Sequence, residues 1–111
     1  MPLKVYFLDD EVDILEIFED TYASENVQIR TFSDPQQAIN EIKINRPDLL
    51  FIDYRLPNTN GDEVALQLDD SIPKVLISAD YNLTPKAKFV ACLIKPYKKN
   101  DILELIKRYS K

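Results

Sequence analysis

The stretch LLFID, from Leu49 to Asp53, is a run of four apolar residues that ends in a carboxylate. It is the most uniformly apolar short run in the chain. Such runs are typical of a parallel strand that is buried on both faces of a sheet. We therefore expect Leu49–Ile52 to form the central strand, with Asp53 at its carboxyl end.

Three other short apolar runs also finish in polar groups, and one segment alternates. The runs are 3–8, 74–78 and 92–95, and the polar residues at the ends of all four strands are Asp9, Asp10, Asp53, Ser78 and Lys95. In residues 27–31 apolar and polar side chains alternate, as in a half-buried or edge strand. The carboxyl ends of parallel strands share one edge of a sheet, where ligands of open α/β folds bind. The five polar residues should therefore meet there.

Amphipathic segments separate these strands. Residues 12–24 predict a first helix, and Ser33-Asp34-Pro35 predicts the start of a second one that Pro47 closes. A compact helix follows through residues 64–68, and Asn100 or Asp101 can cap a final helix. Residues 79–91 contain Pro85 and leave room for a turn or two of helix at most. Strands and helices that alternate in this way predict an α/β fold with a doubly wound, five-stranded parallel sheet.

Composition limits the classes of protein to consider. With 111 residues, 45% of them hydrophobic and 30% charged, residues 1–111 are expected to form one soluble domain. No run is long enough to cross a membrane and no signal segment opens the chain, so we expect a cytoplasmic location. The single Cys92 cannot form an internal disulfide. Since there is no histidine, any chemistry must use carboxylates, hydroxyls and lysines.

Charge is distributed unevenly along the chain. Residues 1–80 hold 17 acidic and 6 basic residues, whereas residues 81–111 hold 2 acidic and 8 basic ones. The basic portion is either a solvated final helix or a face that docks an acidic partner. Nucleic acid is a less favourable partner, because the whole domain carries a net charge of −5.

The carboxylates suggest a metal site. Asp9, Asp10 and Asp53 would repel one another and raise one another's pKa unless a cation lay among them. Mg²⁺ suits such a site, because it accepts few protein ligands and keeps its waters. The acidic pair could also be an ordinary polar strand end or helix start.

Asp53 closes the most apolar strand, so it is either a cap for the next turn or a nucleophile. As a nucleophile it would attack a phosphoryl group and form an acyl phosphate, with the metal and Lys95 neutralising charge. Ser78 could bond a phosphoryl oxygen, or it could be a structural strand end. A lysine at a buried strand end is uncommon unless it is paired, and the Pro96 that follows permits a cis bond.

Taken together, these segments resemble the receiver domain of bacterial response regulators, the phosphoacceptor part of two-component signalling. The resemblance covers essentially the whole chain and rests on residues 7–11 (FLDDE), 47–53 (PDLLFID), Leu56-Pro57 through Gly61, Ser78-Ala79 and Lys95-Pro96. It implies a flavodoxin-like receiver fold. It also implies a phosphoprotein that catalyses only its own phosphorylation and dephosphorylation, rather than an enzyme acting on other substrates.

The resemblance also implies a role for each matching residue. Asp53 would be phosphorylated, and Asp10 and Asp9 would bind Mg²⁺, directly and through water. The backbone carbonyl of Arg55 would bind the metal, while Ser78 and Lys95 would contact the phosphoryl group. The implied donor is a phosphohistidine on a sensor histidine kinase or a histidine phosphotransfer protein. Because the chain has no histidine, that donor must be another molecule.

Three departures from the family matter. The stretch from Asp53 to Ser78 is short, which predicts a trimmed third helix. The stretch from Ser78 to Lys95 is also short, which predicts a fourth helix that is reduced or missing. Cys92 stands where receivers usually carry a switching aromatic, and a cysteine is too small to rotate inward in that way. We therefore expect output to run through residues 79–91, including Ala79 next to Ser78, and through Cys92, Pro96 and the basic final helix, toward a downstream protein.

Two other functions remain open at this point. A receiver-like adaptor could bind a partner without phosphorylation-driven switching, and the shortened helices favour it. A small phosphatase or phosphotransferase could use the same carboxylates, but 111 residues leave no room for a lid over the substrate. A nucleotide-binding protein is disfavoured because Gly61 is the only glycine, so no glycine-rich phosphate loop is present.

Overall fold

The computed structural model describes residues 2–110 as a five-stranded parallel sheet with helices on both faces. In chain order the elements are β1 (Leu3–Leu8), α1 (Val12–Tyr22), β2 (Val27–Phe32), α2 (Pro35–Ile44), β3 (Leu49–Asp53), β4 (Arg55–Leu56), β5 (Thr59–Asn60), α3 (Gly61–Leu66), β6 (Lys74–Ser78), β7 (Ala91–Ile94) and α4 (Lys99–Tyr109). The sheet order is β2-β1-β3-β6-β7, and β4 and β5 form a separate small hairpin. The predicted doubly wound parallel sheet is confirmed.

The central strand is β3, as the LLFID stretch predicts. All five of its residues are buried, and it pairs in parallel with β1 on one side and β6 on the other. The alternating segment forms β2, which is an edge strand. At the opposite edge lies β7, with alternately half-buried and exposed residues. Because all five strands are parallel, their carboxyl ends lie along one edge of the sheet.

Two hydrophobic clusters cover the two faces of the sheet. Helices α1 and α4 bury one face, with Phe18 and Ile102 among the residues that pack against Phe7 and Phe51. Helices α2 and α3 bury the other face, which includes Leu50 and Ile52 of the central strand. Each fully buried side chain of this size contributes roughly 1.5–3 kcal/mol. This burial fixes the register of the strands and so the positions of their ends.

Helix starts agree with the sequence in one case and differ in another. The carboxylate of Asp34 accepts a hydrogen bond from the Gln37 amide at 2.9 Å, so it caps α2 as predicted. The prediction that Asn100 or Asp101 caps the last helix is wrong, because the cap position is Lys98. Asp101 instead lies inside the first turn, and its carboxylate accepts a hydrogen bond from the Lys98 amide at 2.9 Å.

The shortened elements are confirmed. Helix α3 has six residues. Residues 79–90, which we call the crossover loop, contain no helix or strand, so the fourth helix of a typical receiver is replaced by a loop. In the small hairpin, Asn58 has a φ of 61°, in the left-handed region that asparagine tolerates. None of the helices described within residues 2–110 is long and apolar enough to span a membrane.

Candidate functional site

The ends of β1 and β3 bring three carboxylates together. Leu8 pairs with Ile52, so the residues that follow each of them, Asp9 and Asp53, are neighbours across the two strands. One carboxylate oxygen from each of Asp9, Asp10 and Asp53 lies within 4.8 Å of the other two. Asp9 and Asp53 are buried, whereas Asp10 is exposed. The cluster therefore opens to solvent on the side of Asp10.

Asp9 is a buried member of this cluster whose carboxylate is only partly hydrogen-bonded. Its Oδ1 accepts a hydrogen bond from the Glu11 amide at 2.9 Å, but its buried Oδ2 has no hydrogen-bond partner. Burial raises the pKa of the Asp9 carboxyl from 3.8 to about 6, the Glu11 hydrogen bond lowers it, and the negative charge of Asp53 adds to the rise. A buried carboxylate oxygen that lacks a partner is costly, and a cation bound there would remove that cost.

Lys95 provides the positive charge of the site. Its Nζ lies 2.7 Å from Oδ1 of Asp53, and its side chain is 35% exposed while that of Asp53 is 5% exposed. Burial alone would lower the pKa of Lys95, but the hydrogen bond and charge of Asp53, with Asp9 and Glu11, raise it overall. The ammonium is thus held at the nucleophile predicted from sequence, and the Lys95-Pro96 bond is cis.

Ser78 lies at the end of β6, between β3 and β7, and is buried. Its hydroxyl oxygen accepts a hydrogen bond from the Asp80 amide at 2.9 Å. This is the local turn that a structural serine makes. The hydroxyl donates in turn to the Asp80 carbonyl at 3.4 Å, so a hydrogen bond from Ser78 to a phosphoryl group would compete with that donated bond and not with the one accepted from the amide.

The backbone after Asp53 is held close to helix α3. The Gly61 amide donates to the Tyr54 carbonyl at 2.8 Å. A β-carbon on Gly61 would lie 2.6 Å from the carbonyl oxygen of Asp53 and 2.8 Å from Ile52, so glycine is required by this close approach. Arg55, two residues beyond Asp53, lies in the small hairpin and is exposed.

The residues predicted to carry output lie on one side of the site. Ala79 starts the crossover loop and is exposed, as are Cys92 and Pro96. Cys92 pairs with Leu76 of β6, and Ile94 pairs with Ser78. Because no helix covers this end of the sheet in the described residues, Cys92 and Ile94 are open to solvent. The basic residues of the last helix, among them Lys99, Lys107 and Arg108, are also exposed.

Sequence reasoning missed two residues near the site. One is Tyr97, which is half-buried against the cluster under α1 and α4; burial raises the pKa of its phenol, and the charges of Asp9 and Asp53 raise it further. The sequence feature that could have identified Tyr97 is its position, as an aromatic residue directly after Lys95-Pro96. Asp62 is buried at the start of α3 and accepts two backbone hydrogen bonds from the crossover loop. An acidic residue in the first turn of a helix is common, so nothing in the sequence separated Asp62 from Glu63.

The donor set fits a hard divalent cation. Three carboxylates that converge, one of them with an unpaired buried oxygen, offer the oxygen ligands that Mg²⁺ prefers. The exposed side of the cluster leaves room for the waters that Mg²⁺ retains.

Comparisons with known proteins agree with this geometry. A family model described as the response regulator receiver domain matches residues 5–107. The chain is 25% identical to the DNA-binding response regulator MtrA of Mycolicibacterium paratuberculosis, over 96% of this chain and 51% of that protein. It is 23% identical to the sporulation initiation phosphotransferase F of Bacillus subtilis, over 96% of this chain and 92% of that protein. The chain thus spans about half the length of MtrA.

Solved structures show the same fold. A CheY-like receiver domain from Methylobacillus flagellatus has a TM-score of 0.87 and 19% identity, with 99% of this chain and 100% of that one covered. The receiver domain of a sensor histidine kinase from Pseudomonas aeruginosa PAO1 has a TM-score of 0.86 and 18% identity, with 98% of each chain covered. That structure holds a magnesium ion in its active-site cleft.

Proposed function

Because this chain belongs to the family of response regulator receiver domains, we propose that residues 1–111 are one receiver unit that is phosphorylated on Asp53 in a Mg²⁺-dependent reaction. The observation that carries the proposal is the pairing of Asp53 with Lys95 at 2.7 Å beside a cluster of three carboxylates. It is a signalling domain rather than an enzyme for outside substrates.

The chemistry at Asp53 is a phosphoryl transfer to a carboxylate oxygen. An Asp53 oxygen attacks the phosphorus of a phosphohistidine on a sensor kinase or a histidine phosphotransfer protein. The new O–P bond forms as the N–P bond breaks, and the imidazole leaves with the electron pair of that bond. Residues 1–111 contain no histidine, so the donor histidine lies outside them. The name of the Bacillus subtilis relative, sporulation initiation phosphotransferase F, supports the proposal of such a transfer.

The residues around Asp53 would orient the phosphoryl group and neutralise its negative charge. Asp9, Asp10, Asp53 and the Arg55 carbonyl would hold Mg²⁺, which when bound would offset negative charge on the phosphoryl oxygens. Lys95 would shift its ammonium from Asp53 to a phosphoryl oxygen. Ser78 would turn the hydrogen of its hydroxyl from the Asp80 carbonyl, which lies 3.4 Å away, to another of those oxygens.

The output would be a contact with a downstream protein through the basic C-terminal face. Residues 86–108 present the exposed Lys86, Lys88, Lys98, Lys99 and Arg108 on this part of the chain. An acidic protein surface is the expected partner, whereas nucleic acid is less suited to a domain of net charge −5. If phosphorylation leaves the amide shifts of residues 79–91 and of the last helix unchanged, this output route is wrong.

The central experiment is phosphorylation by acetyl phosphate with Mg²⁺, followed by intact mass. We expect wild type to gain one phosphoryl group and Asp53→Asn to gain none. Asp48→Asn is the matched control, because Asp48 precedes the same strand at its other end and its side chain accepts a hydrogen bond from the Lys4 amide at 2.8 Å. Omission of Mg²⁺ should abolish the gain. No gain in wild type would instead support a receiver-like adaptor that does not switch.

A further inference from the structure

The buried carboxylate of Asp62 has an unusual pair of partners. Asp62 is 8% exposed and lies in the first turn of α3, directly after Gly61. Its Oδ2 accepts a hydrogen bond from the Lys86 amide at 2.8 Å, and its Oδ1 accepts one from the Ala87 amide at 2.9 Å. Both donors belong to the crossover loop, more than twenty residues further along the chain.

These two bonds account for the burial of the charge. A buried carboxylate needs hydrogen bonds or a counter-charge, and bonds from backbone amides to a carboxylate are strong. None of the ion pairs found among residues 2–110 includes Asp62. The charge is therefore satisfied by the crossover loop itself. The same carboxylate adds to the effect of burial in raising the pKa of the Cys92 thiol.

The crossover loop is consequently attached at two places. At the start of the loop, the Ser78 hydroxyl oxygen accepts a hydrogen bond from the Asp80 amide at 2.9 Å. In the second half of the loop, Asp62 accepts the hydrogen bonds of the Lys86 and Ala87 amides. The side chains of Ala87 and Phe89 pack against the cluster under α2 and α3. The Val90 amide donates a hydrogen bond to the Lys74 carbonyl at 2.8 Å. Residues 81–85 between these attachments include Tyr81, which is 78% exposed.

We propose that Asp62 is a latch that anchors residues 86–90 in place of a helix, so that within the crossover loop only residues 79–85 rearrange when the Ser78 hydroxyl changes its hydrogen bond. The first half of this statement concerns the resting protein. The second half rests on the proposed phosphorylation of Asp53, because that reaction gives Ser78 a new partner. Asp62 is then a positioning residue that limits how far a change at the site spreads into the loop.

The test compares Asp62→Asn with Glu63→Gln. An asparagine keeps the shape of the side chain and one acceptor oxygen, but its NH₂ cannot accept a hydrogen bond from the second amide. Glu63→Gln removes the same charge from the same helical turn, and Glu63 is exposed and does not bond the loop. Amide hydrogen exchange in the resting protein is the first readout. Exchange at Lys86 and Ala87 should rise about tenfold or more in Asp62→Asn, since one strong hydrogen bond is lost, and stay unchanged in Glu63→Gln.

The second readout follows amide shifts on phosphorylation, with the gain of mass checked in the same sample. In wild type, the shifts within the crossover loop should be confined to residues 79–85 while Lys86 and Ala87 remain protected. In Asp62→Asn the shifts within the loop should extend to Val90. Unchanged exchange in resting Asp62→Asn would overturn the latch, as would loss of protection at Lys86 and Ala87 in phosphorylated wild type. If wild type gains no phosphoryl group, the proposed function is wrong. The exchange data on the resting protein would still test whether Asp62 anchors residues 86–90.

Discussion

The ammonium of Lys95 lies 2.7 Å from Oδ1 of Asp53, at the ends of two strands that are separated in the sheet by β6. The pair is asymmetric, because the Asp53 side chain is 5% exposed and that of Lys95 is 35% exposed. Lys95 therefore compensates a buried charge that also faces two neighbouring carboxylates. Its removal should affect both the resting protein and the proposed phosphoryl transfer.

Lys95→Met tests this role, because methionine keeps an unbranched apolar stem and removes the charge. Phosphorylation by acetyl phosphate should slow by about 100-fold, the cost of losing one stabilising donor. The free energy of unfolding should fall by only about 1 kcal/mol, because solvent screens the pair. The folded pKa of Lys95 lies above 10.5, so this stability is present below pH 10.5 and is lost as the pH rises through the folded value. Lys99→Met, at an exposed lysine, should change neither quantity.

The raised pKa of Asp9 makes stability depend on pH in an unusual direction. Asp9 binds its proton more tightly in the folded protein, with a pKa of about 6, than in the unfolded chain, where it is near 3.8. Without Mg²⁺, its contribution to the free energy of unfolding should therefore fall as pH rises between these values, by about 3 kcal/mol at most. Asp9→Asn should thus be more stable than wild type at neutral pH, and the difference should shrink toward pH 4.

Urea unfolding at several pH values measures this difference. Asp13→Asn, at an exposed carboxylate in the first turn of α1, is the matched control and should not gain stability over wild type as the pH rises toward neutral. A difference for Asp9→Asn that is constant with pH would contradict the prediction. Added Mg²⁺ should stabilise wild type more at pH 7.5 than below the pKa of Asp9, because a proton there competes with the metal.

The sequence was sufficient for the sheet and for the ends of its strands. Apolar runs such as LLFID report burial directly, and parallel pairing then places Asp9, Asp53, Ser78 and Lys95 at one edge without further information. The cap of the last helix was misassigned, because Asp101 can serve either as the cap or inside the first turn, and the chain before α4 decides between them.

The bonds of Asp62 were beyond sequence reasoning for a different reason. Its partners at Lys86 and Ala87 depend on the path of a loop that has no periodic pattern. Lys74 is a similar case: it is 1% exposed, and its ammonium donates to the carbonyls of Asp69 and Ile72. In both cases the hydrogen-bond partners of a charged side chain are backbone groups. Since nearly every residue has the same backbone groups, the sequence does not indicate which of them will be the partners.

The close approach at Gly61 predicts that Gly61→Ala is harmful although alanine favours helices. The added β-carbon would meet the Asp53 carbonyl at 2.6 Å and Ile52 at 2.8 Å, so backbone must shift. We expect a loss of about 1–3 kcal/mol in the free energy of unfolding, as for overpacked cores, and slower phosphorylation because Asp53 moves. Gln67→Ala, at the exposed end of the same helix, should change stability by less than about 0.5 kcal/mol. Equal stability of Gly61→Ala and wild type would show that the contact is relaxed.

The missing helix predicts that Cys92 is accessible to thiol reagents in the folded protein. Cys92 is exposed on β7, whereas its partner across the strands, Leu76, is 1% exposed. A thiol reagent should label Cys92 fully without denaturant, and the rate should rise with pH beyond the usual range of a cysteine, because partial burial of the thiol within this exposed residue and the charge of Asp62 raise its pKa. Cys92→Ser should cost less than about 0.5 kcal/mol, whereas Leu76→Ala should cost about 2–5 kcal/mol. Labelling that occurs only in urea would mean that residues 79–90, or a second copy of the chain, cover this face in solution.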